Sequence, residues 1–179
     1  MGTVAKPLLL NLGCGTQRWA THCNVDAFGD VDVRWDLNKF PYPWEDNSVD
    51  GIDMYHVLEH LDDWWSAFKE CARILKPGGY LEIRVPDESS MTALTYRDHN
   101  HVFSKASFWG IDSWHNPGTN TWAATETRSV PLQMTGYFQV PFAKYHWMIR
   151  WCPNILRFCA DHLRNFIHEQ RFIFTKVGQ

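Results

Sequence analysis

Short apolar runs, each closed by an acid or a glycine turn, organise the first half of the chain. Leu8-Leu9-Leu10-Asn11-Leu12 is almost continuously apolar and ends at Gly13-Cys14-Gly15. A run of that length bounded by glycine reads as a buried strand running into a tight turn. Cys23-Asn24-Val25-Asp26 repeats the pattern and ends in an acid. Val31 to Trp35 repeats it again and ends at Asp36. A proline-rich loop follows over residues 40–47, and Val49 to Tyr55 predicts a fourth strand.

The period then changes. Trp65, Phe68, Ala72 and Leu75 recur at i, i+3, i+7 and i+10, the spacing of one helical face. Asp62 or Asp63 is placed to cap the start of that helix. Lys76-Pro77-Gly78-Gly79 should stop it, and Tyr80 to Val85 predicts a fifth strand closed by Pro86. Strands alternating with helix or loop segments indicate a mostly parallel sheet. From Asp87 to Thr135 the pattern weakens into polar and aromatic residues. A stretch of that kind reads as a lid or substrate region, with one short helix near Ser104–Trp114. Order returns with a long strand over Tyr137–Trp151, bent at Pro141. A helix opening at Pro153 follows, with Leu156, Cys159, Leu163 and Phe166 as its apolar stripe, then a last strand over Arg171–Val177. The last two strands should form an antiparallel edge pair. One domain is expected over residues 1–179, with 87–135 as its lid.

Composition narrows the class. The 179 residues are 45% hydrophobic and 21% charged, which is globular rather than disordered. A net charge of −3 gives no global pull toward nucleic acid or an anionic membrane. No apolar run approaches the roughly 18–20 residues that span a bilayer. The apolar run near Met1 is too short for a signal peptide, and Lys6 stands where myristoylation requires Ser or Thr. No membrane partner and a cytoplasmic location are therefore expected. The cysteine count is odd, five, with no CxxC pair, which favours reduced thiols. Ten Trp residues are many for this length. Most belong in a core, and some could line a ligand pocket.

The chemistry concentrates at strand ends. Glycines directly after a strand let the backbone approach a ligand, which in open α/β sheets binds beyond the strands' carboxyl ends. Asp26 lies thirteen residues after Gly13, where a carboxylate can accept two ribose hydroxyls. Thr16 to His22 leaves room for about one helical turn between them. Asp36 could accept the exocyclic amine of an adenine, with Leu37 covering the ring. The pieces LLLNLGCG, NVD, WDLN, FPYPWEDNSVDGIDMYHVLEHLDD and CARILKPGGYLEIRVPD stand in order over Leu8 to Asp87. Together they resemble the class I S-adenosylmethionine-dependent methyltransferases of the small type 11 kind. DHNHVFS, residues 98–104, resembles a further pattern of that family.

The resemblance implies a Rossmann-like three-layer α/β sandwich, with a mostly parallel seven-stranded sheet and an antiparallel C-terminal edge pair. It implies S-adenosylmethionine as cofactor. Asn11, Gly13, Cys14 and Gly15 would face its methionine part, Asp26 the ribose, and Asp36 with Leu37 the adenine. Tyr55 and His56 would lie under the sulfonium. Two departures stand out. Asn11 replaces the acid that many relatives carry at the end of the first strand, and Thr16 or Gln17 replaces a third glycine. A nicotinamide-binding fold is the rival, but Arg18 stands where its third glycine belongs.

Methyl transfer from a sulfonium is an in-line displacement. The protein mainly positions the acceptor and excludes water, and a general base helps hydroxyl or ammonium acceptors. Candidates are His56, Glu59, His60, Asp87, His99 and His101, with His56 and His101 the leading two. His56, His60, His99 and His101 could meet around a metal only if the fold joins their segments, so no metal site is expected. Nucleic acid is disfavoured as acceptor. Neither a Pro-Cys dipeptide nor an Asn/Asp-Pro-Pro-aromatic motif is present. A small-molecule or sugar acceptor, methylated on oxygen or nitrogen, is expected. The alternatives are a binder of the cofactor without transferase activity and, third, a lyase or hydrolase of the cofactor.

Overall fold

The computed structural model describes residues 6–108 and 130–178. Seven strands form one sheet in the order β3-β2-β1-β4-β5-β7-β6. They are β1 (Leu9–Leu12), β2 (Cys23–Asp26), β3 (Val33–Arg34), β4 (Val49–Tyr55), β5 (Leu75–Pro86), β6 (Leu132–Pro141) and β7 (Ile167–Lys176). β1 pairs in parallel with β2 and β4, β2 with β3, and β4 with β5. β7 runs antiparallel to both β5 and β6. This is the Rossmann-like α/β sheet expected, with the antiparallel pair β7-β6 at one edge.

The central strands are the continuous apolar runs. Leu10, Leu12, Val25, Ile52, Leu81 and Ile83 are wholly excluded from water. Strands covered on both faces read as near-continuous apolar stretches, which is why the sequence marked them well. Helix α1 (Trp64–Ile74) starts where expected, with the Asp63 carboxylate accepting the Ser66 N–H at 2.9 Å. It lays Ala67, Phe68, Cys71, Ala72 and Ile74 on the sheet. Each large apolar side chain of that face contributes about 1.5–3 kcal/mol when fully buried. Beyond it, Phe68, Phe103, Phe108, Phe172 and Phe174 form an aromatic cluster with ring centroids mostly 4.7–5.9 Å apart. That cluster pins the start of the expected lid region to β7. Gln170 donates to the Phe103 carbonyl at 2.8 Å, and Asp87 bridges to Phe103.

Several expectations are corrected. Residues 16–22 form turns and no helical turn, because the Asn24 side chain occupies the loop's polar groups. It accepts from the Trp19 N–H and donates to the carbonyls of Trp19 and His22. The strand expected over Tyr137–Trp151 begins earlier and ends at Pro141. A helical turn (Ala143–Tyr145) and helix α3 (His146–Trp151) follow, since the aromatic content that suggested a strand has no neighbouring strand to pair with. Helix α4 (Pro153–His162) opens at Pro153 as expected. Its stripe is only partly covered at Leu156 and Cys159, and Leu163 is exposed. α3 and α4 pack chiefly on each other and expose Trp147, Trp151, Ile155 and Phe158. In the region expected to be a lid, helix α2 (Met91–Thr95) and a turn at Lys105–Phe108 are seen. The rest of the short helix expected at 104–114 lies outside the described residues. The five cysteines are free thiols, and among the described residues no helix is long and apolar enough to cross a membrane.

Candidate active site

The carboxyl ends of β1, β2 and β4 meet at the glycine turn. Gly13 has φ +68° and donates to the Val25 carbonyl at 2.8 Å, so the chain turns back over β2 at once. A Cβ on Gly13 would lie 3.0 Å from Val57 Cγ1 and press harder on Cγ2. Only glycine permits both the backbone and the approach. Asn11 is buried beneath this turn, and its amide donates to Gln17 O at 2.8 Å and Asn24 Oδ1 at 3.1 Å. As a side chain that donates, Asn11 ties the loop shut. Asp26 completes the turn: its two oxygens accept the N–H groups of Gly15 at 2.9 Å and Phe28 at 3.1 Å. Each oxygen keeps lone-pair capacity for a ligand hydroxyl.

Two cavities open on either side of Gly13 and His56, which line both. One, of about 270 Å³, is also lined by Asp26, Phe28, Trp35, Asp36, Leu37 and His60. The other, of about 420 Å³, is also lined by Asn11, Cys14, Gly15, Trp19, Tyr55, Arg84 and Glu169. The first thus gathers the residues expected at an adenosine and the second those expected at a methionine. A larger cavity of about 560 Å³ lies at the opposite, amino ends of the strands, around Asn47, Pro77 and Lys176. Ligands of open α/β sheets bind at the carboxyl ends, which sets it apart from this site.

Sequence reasoning missed Arg84 and Glu169. Arg84 lies over the Tyr55 ring at 4.0 Å, and its guanidinium bonds the Tyr55 hydroxyl at 3.1 Å and Glu82 at 2.9 Å. Burial alone would raise the Glu82 pKa. Hydrogen bonds from Arg171, Tyr55 and Arg84 outweigh it and hold the group below the usual carboxylate range. Glu169 comes from the reversed strand β7, about 110 residues from His56 along the chain, and only the sheet order brings it here. The one sequence signal was Arg84, a charge between Ile83 and Val85 of β5; Glu169 stands among His168, Gln170 and Arg171 and gave none.

His56 sits at the seam with φ +56°, a costly backbone for a side chain this size. Its Nε2 lies 3.1 Å from Glu169 and its Nδ1 3.3 Å from Glu59. Those two hydrogen bonds, Glu169 first, raise its pKa to about 9 and hold the Glu169 carboxyl below its ordinary value. At neutral pH His56 is therefore an imidazolium with both nitrogens engaged, not a free base. His101 donates its backbone N–H to Glu59 O at 3.2 Å, but its side chain lines none of the cavities beside His56. Its Nε2 is buried without a partner among the described residues. A third cavity, of about 350 Å³, is lined by His56, Glu59, His60, Tyr96, His99 and His168.

Comparisons with known proteins bear on the fold and on one segment of the chain. Residues 26–83 match the family described as "Methyltransferase domain". A probable S-adenosylmethionine-dependent methyltransferase of Mycolicibacterium smegmatis is 39% identical over 70 residues, which are 38% of this chain and 26% of that protein. The chain therefore spans about a quarter of that relative's length. An S-adenosylmethionine-dependent methyltransferase from Archaeoglobus fulgidus superposes with a TM-score of 0.61 at 14% identity, covering 95% of this chain and 86% of its own. The Burkholderia thailandensis 1,6-didemethyltoxoflavin-N1-methyltransferase, solved with S-adenosylhomocysteine bound, gives 0.56 at 13% identity, covering 97% and 72%. These structural likenesses establish the fold. The matched segment, which contains β4, α1 and most of β5, adds a likeness to methyltransferase domains over residues 26–83.

Proposed function

We propose that this chain binds S-adenosylmethionine across the two cavities joined at Gly13 and His56, and transfers its methyl group to a small-molecule or sugar acceptor. The observation that carries the reading is the joint lining of those cavities by the glycine turn, Asp26, Asp36 and Leu37. Asp26 accepts the ribose hydroxyls. Asp36 accepts the adenine amine while Leu37 covers the ring. Backbone groups of Asn11, Gly13, Cys14 and Gly15 face the methionine part. Arg84 suits its carboxylate, and Glu169 offers the ammonium an acid where Asn11 provides none.

The bound cofactor supplies an electrophilic methyl on a sulfonium, so the chain need only align the acceptor and keep water away. Tyr55 and His56 form the wall beneath that methyl. Protonated His56 acts by position, holding Glu59 and Glu169 at the seam. His101 becomes a base only if a closed state turns its ring toward the acceptor. An acceptor of modest size fits the third cavity beside His56. Free thiols suit a reducing, cytoplasmic setting. The test is formation of S-adenosylhomocysteine when the protein meets the cofactor and panels of hydroxylated, amine and sugar acceptors. Acceptor-dependent product supports transfer. Cofactor binding without turnover on any panel would assign the chain to binding alone, and consumption without acceptor to cofactor cleavage.

A further inference from the structure

The turn Leu58–His60 after β4 and the segment 98–101 are far apart in sequence, and the backbone clamps them together. The N–H groups of Asn100 and His101 both donate to Glu59 O, at 2.7 and 3.2 Å, and the Asn100 amide donates to His60 O at 3.0 Å. The clamp sets the His60 and His99 rings 4.8 Å apart, nearly perpendicular. Glu59, His60 and His99 then offer one ligand atom each, all within 4.8 Å of one another.

Two polar atoms of this set are buried without partners among the described residues. Glu59 is 1% exposed; one oxygen takes the His56 Nδ1, while Oε2 is buried with no partner among the described residues. His99 Nδ1 is likewise buried without a partner. His60 Nδ1 lies 2.9 Å from the Asp98 carbonyl, which can only accept, so Nδ1 carries the proton and Nε2 keeps its lone pair. A backbone carbonyl fixing one imidazole nitrogen so that the other stays free is the outer arrangement found around metal-bound histidines. An orphan carboxylate oxygen beside that imidazole and the unpartnered His99 ring lacks one thing, a cation.

We propose that Glu59, His60 and His99 bind a divalent transition-metal ion of the zinc type, with its remaining positions open to the cavity beside His56. Two imidazoles and one carboxylate form the donor set of zinc sites that keep an open position. Ligand atoms around four-coordinate zinc lie about 3.3 Å apart. The set therefore closes by about 1.5 Å at its widest pair, within reach of side-chain rotation. The cavity is about 350 Å³ and shares His56 and His60 with the adenosine-side cavity. An ion there would grip an oxygen of the acceptor and favour its deprotonation. That role rests on the methyl-transfer reading; the ion site does not.

The full chain, freed of metal with a chelator, is titrated with ZnCl2 by calorimetry and with Co2+ by visible absorption. S-adenosylhomocysteine binding is measured on the same samples. The expected result is one equivalent of zinc bound at micromolar Kd or tighter. Co2+ bands of a four- or five-coordinate site should appear. His99→Ala should raise the zinc Kd at least tenfold with S-adenosylhomocysteine affinity unchanged, and His146→Ala, at the far edge of the sheet, should change neither. Folded protein that binds S-adenosylhomocysteine but neither metal overturns the site, as does zinc affinity indifferent to His99→Ala. Zinc binding that His99→Ala abolishes, in protein that ignores S-adenosylhomocysteine, upholds the site and sinks the cofactor reading instead.

Discussion

Replacing Gly13 with alanine separates the two demands made on that residue. At φ +68° an alanine costs about 1–2 kcal/mol through its Cβ and carbonyl. The new Cβ also strikes Val57, a β-branched side chain 5% exposed and stiff at χ1, so it has little freedom to yield. Overpacking of that kind adds about 1–3 kcal/mol. Gly13→Ala should therefore lose about 2–5 kcal/mol of stability. Gly15→Ala is the internal control: its φ is +51° but nothing lies within 4 Å of its Cβ, so only the backbone part, about 1–2 kcal/mol, should appear. Val57→Ala removes the obstacle, and the double variant should recover about 1–3 kcal/mol relative to additivity. Urea unfolding of the wild type and these four variants measures all of this, and S-adenosylhomocysteine affinity should fall in Gly13→Ala because Gly13 lines both cavities. If Gly13→Ala costs no more than Gly15→Ala, or Val57→Ala brings no relief, the close packing of turn on turn is wrong.

Two further outcomes are expected. Lys176 is 8% exposed and its ammonium donates to Asn47 Oδ1 and to the carbonyls of Arg73 and Leu75 at the end of α1; Lys176→Met leaves those acceptors bare and should cost about 1–3 kcal/mol in chemical denaturation, whereas unchanged stability would show the bonds contribute nothing. His56 has its pKa raised from 6.5 to about 9, so the folded state holds the extra proton in that window. Its contribution is complete below 6.5, and stability should fall as pH rises from 6.5 through 9. The side chain is 41% exposed, so the fall is modest. His56→Gln should flatten it, and a variant with the wild-type pH slope would remove His56 as its source.

What could be read from the sequence depended on whether the signal was local. β1, β2 and β4 were legible because strands buried on both faces are short apolar runs with punctuation at their ends. Asp26 closes β2, and Asp36 with Leu37 follows β3, so their positions at strand ends were legible. Glu169 was not: its place beside His56 depends on β7 reversing next to β5, and no local pattern encodes which strand lies beside which. The same holds for His99 reaching His60, which backbone bonds to Glu59 O bring about. Over His146–Trp151 the aromatic and β-branched residues favour a pleated surface as much as an exposed helical face, and the lack of a strand to pair with decides for the helix.

The central claim is that the cavities joined at Gly13 form one S-adenosylmethionine site anchored by Asp26. Calorimetric titration of S-adenosylhomocysteine into wild type and Asp26→Ala, each shown folded, tests it most directly. The account predicts micromolar binding to the wild type and at least a tenfold loss, about 1.4 kcal/mol, in the variant. Equal affinity in the two proteins, or none in folded wild type, would contradict it.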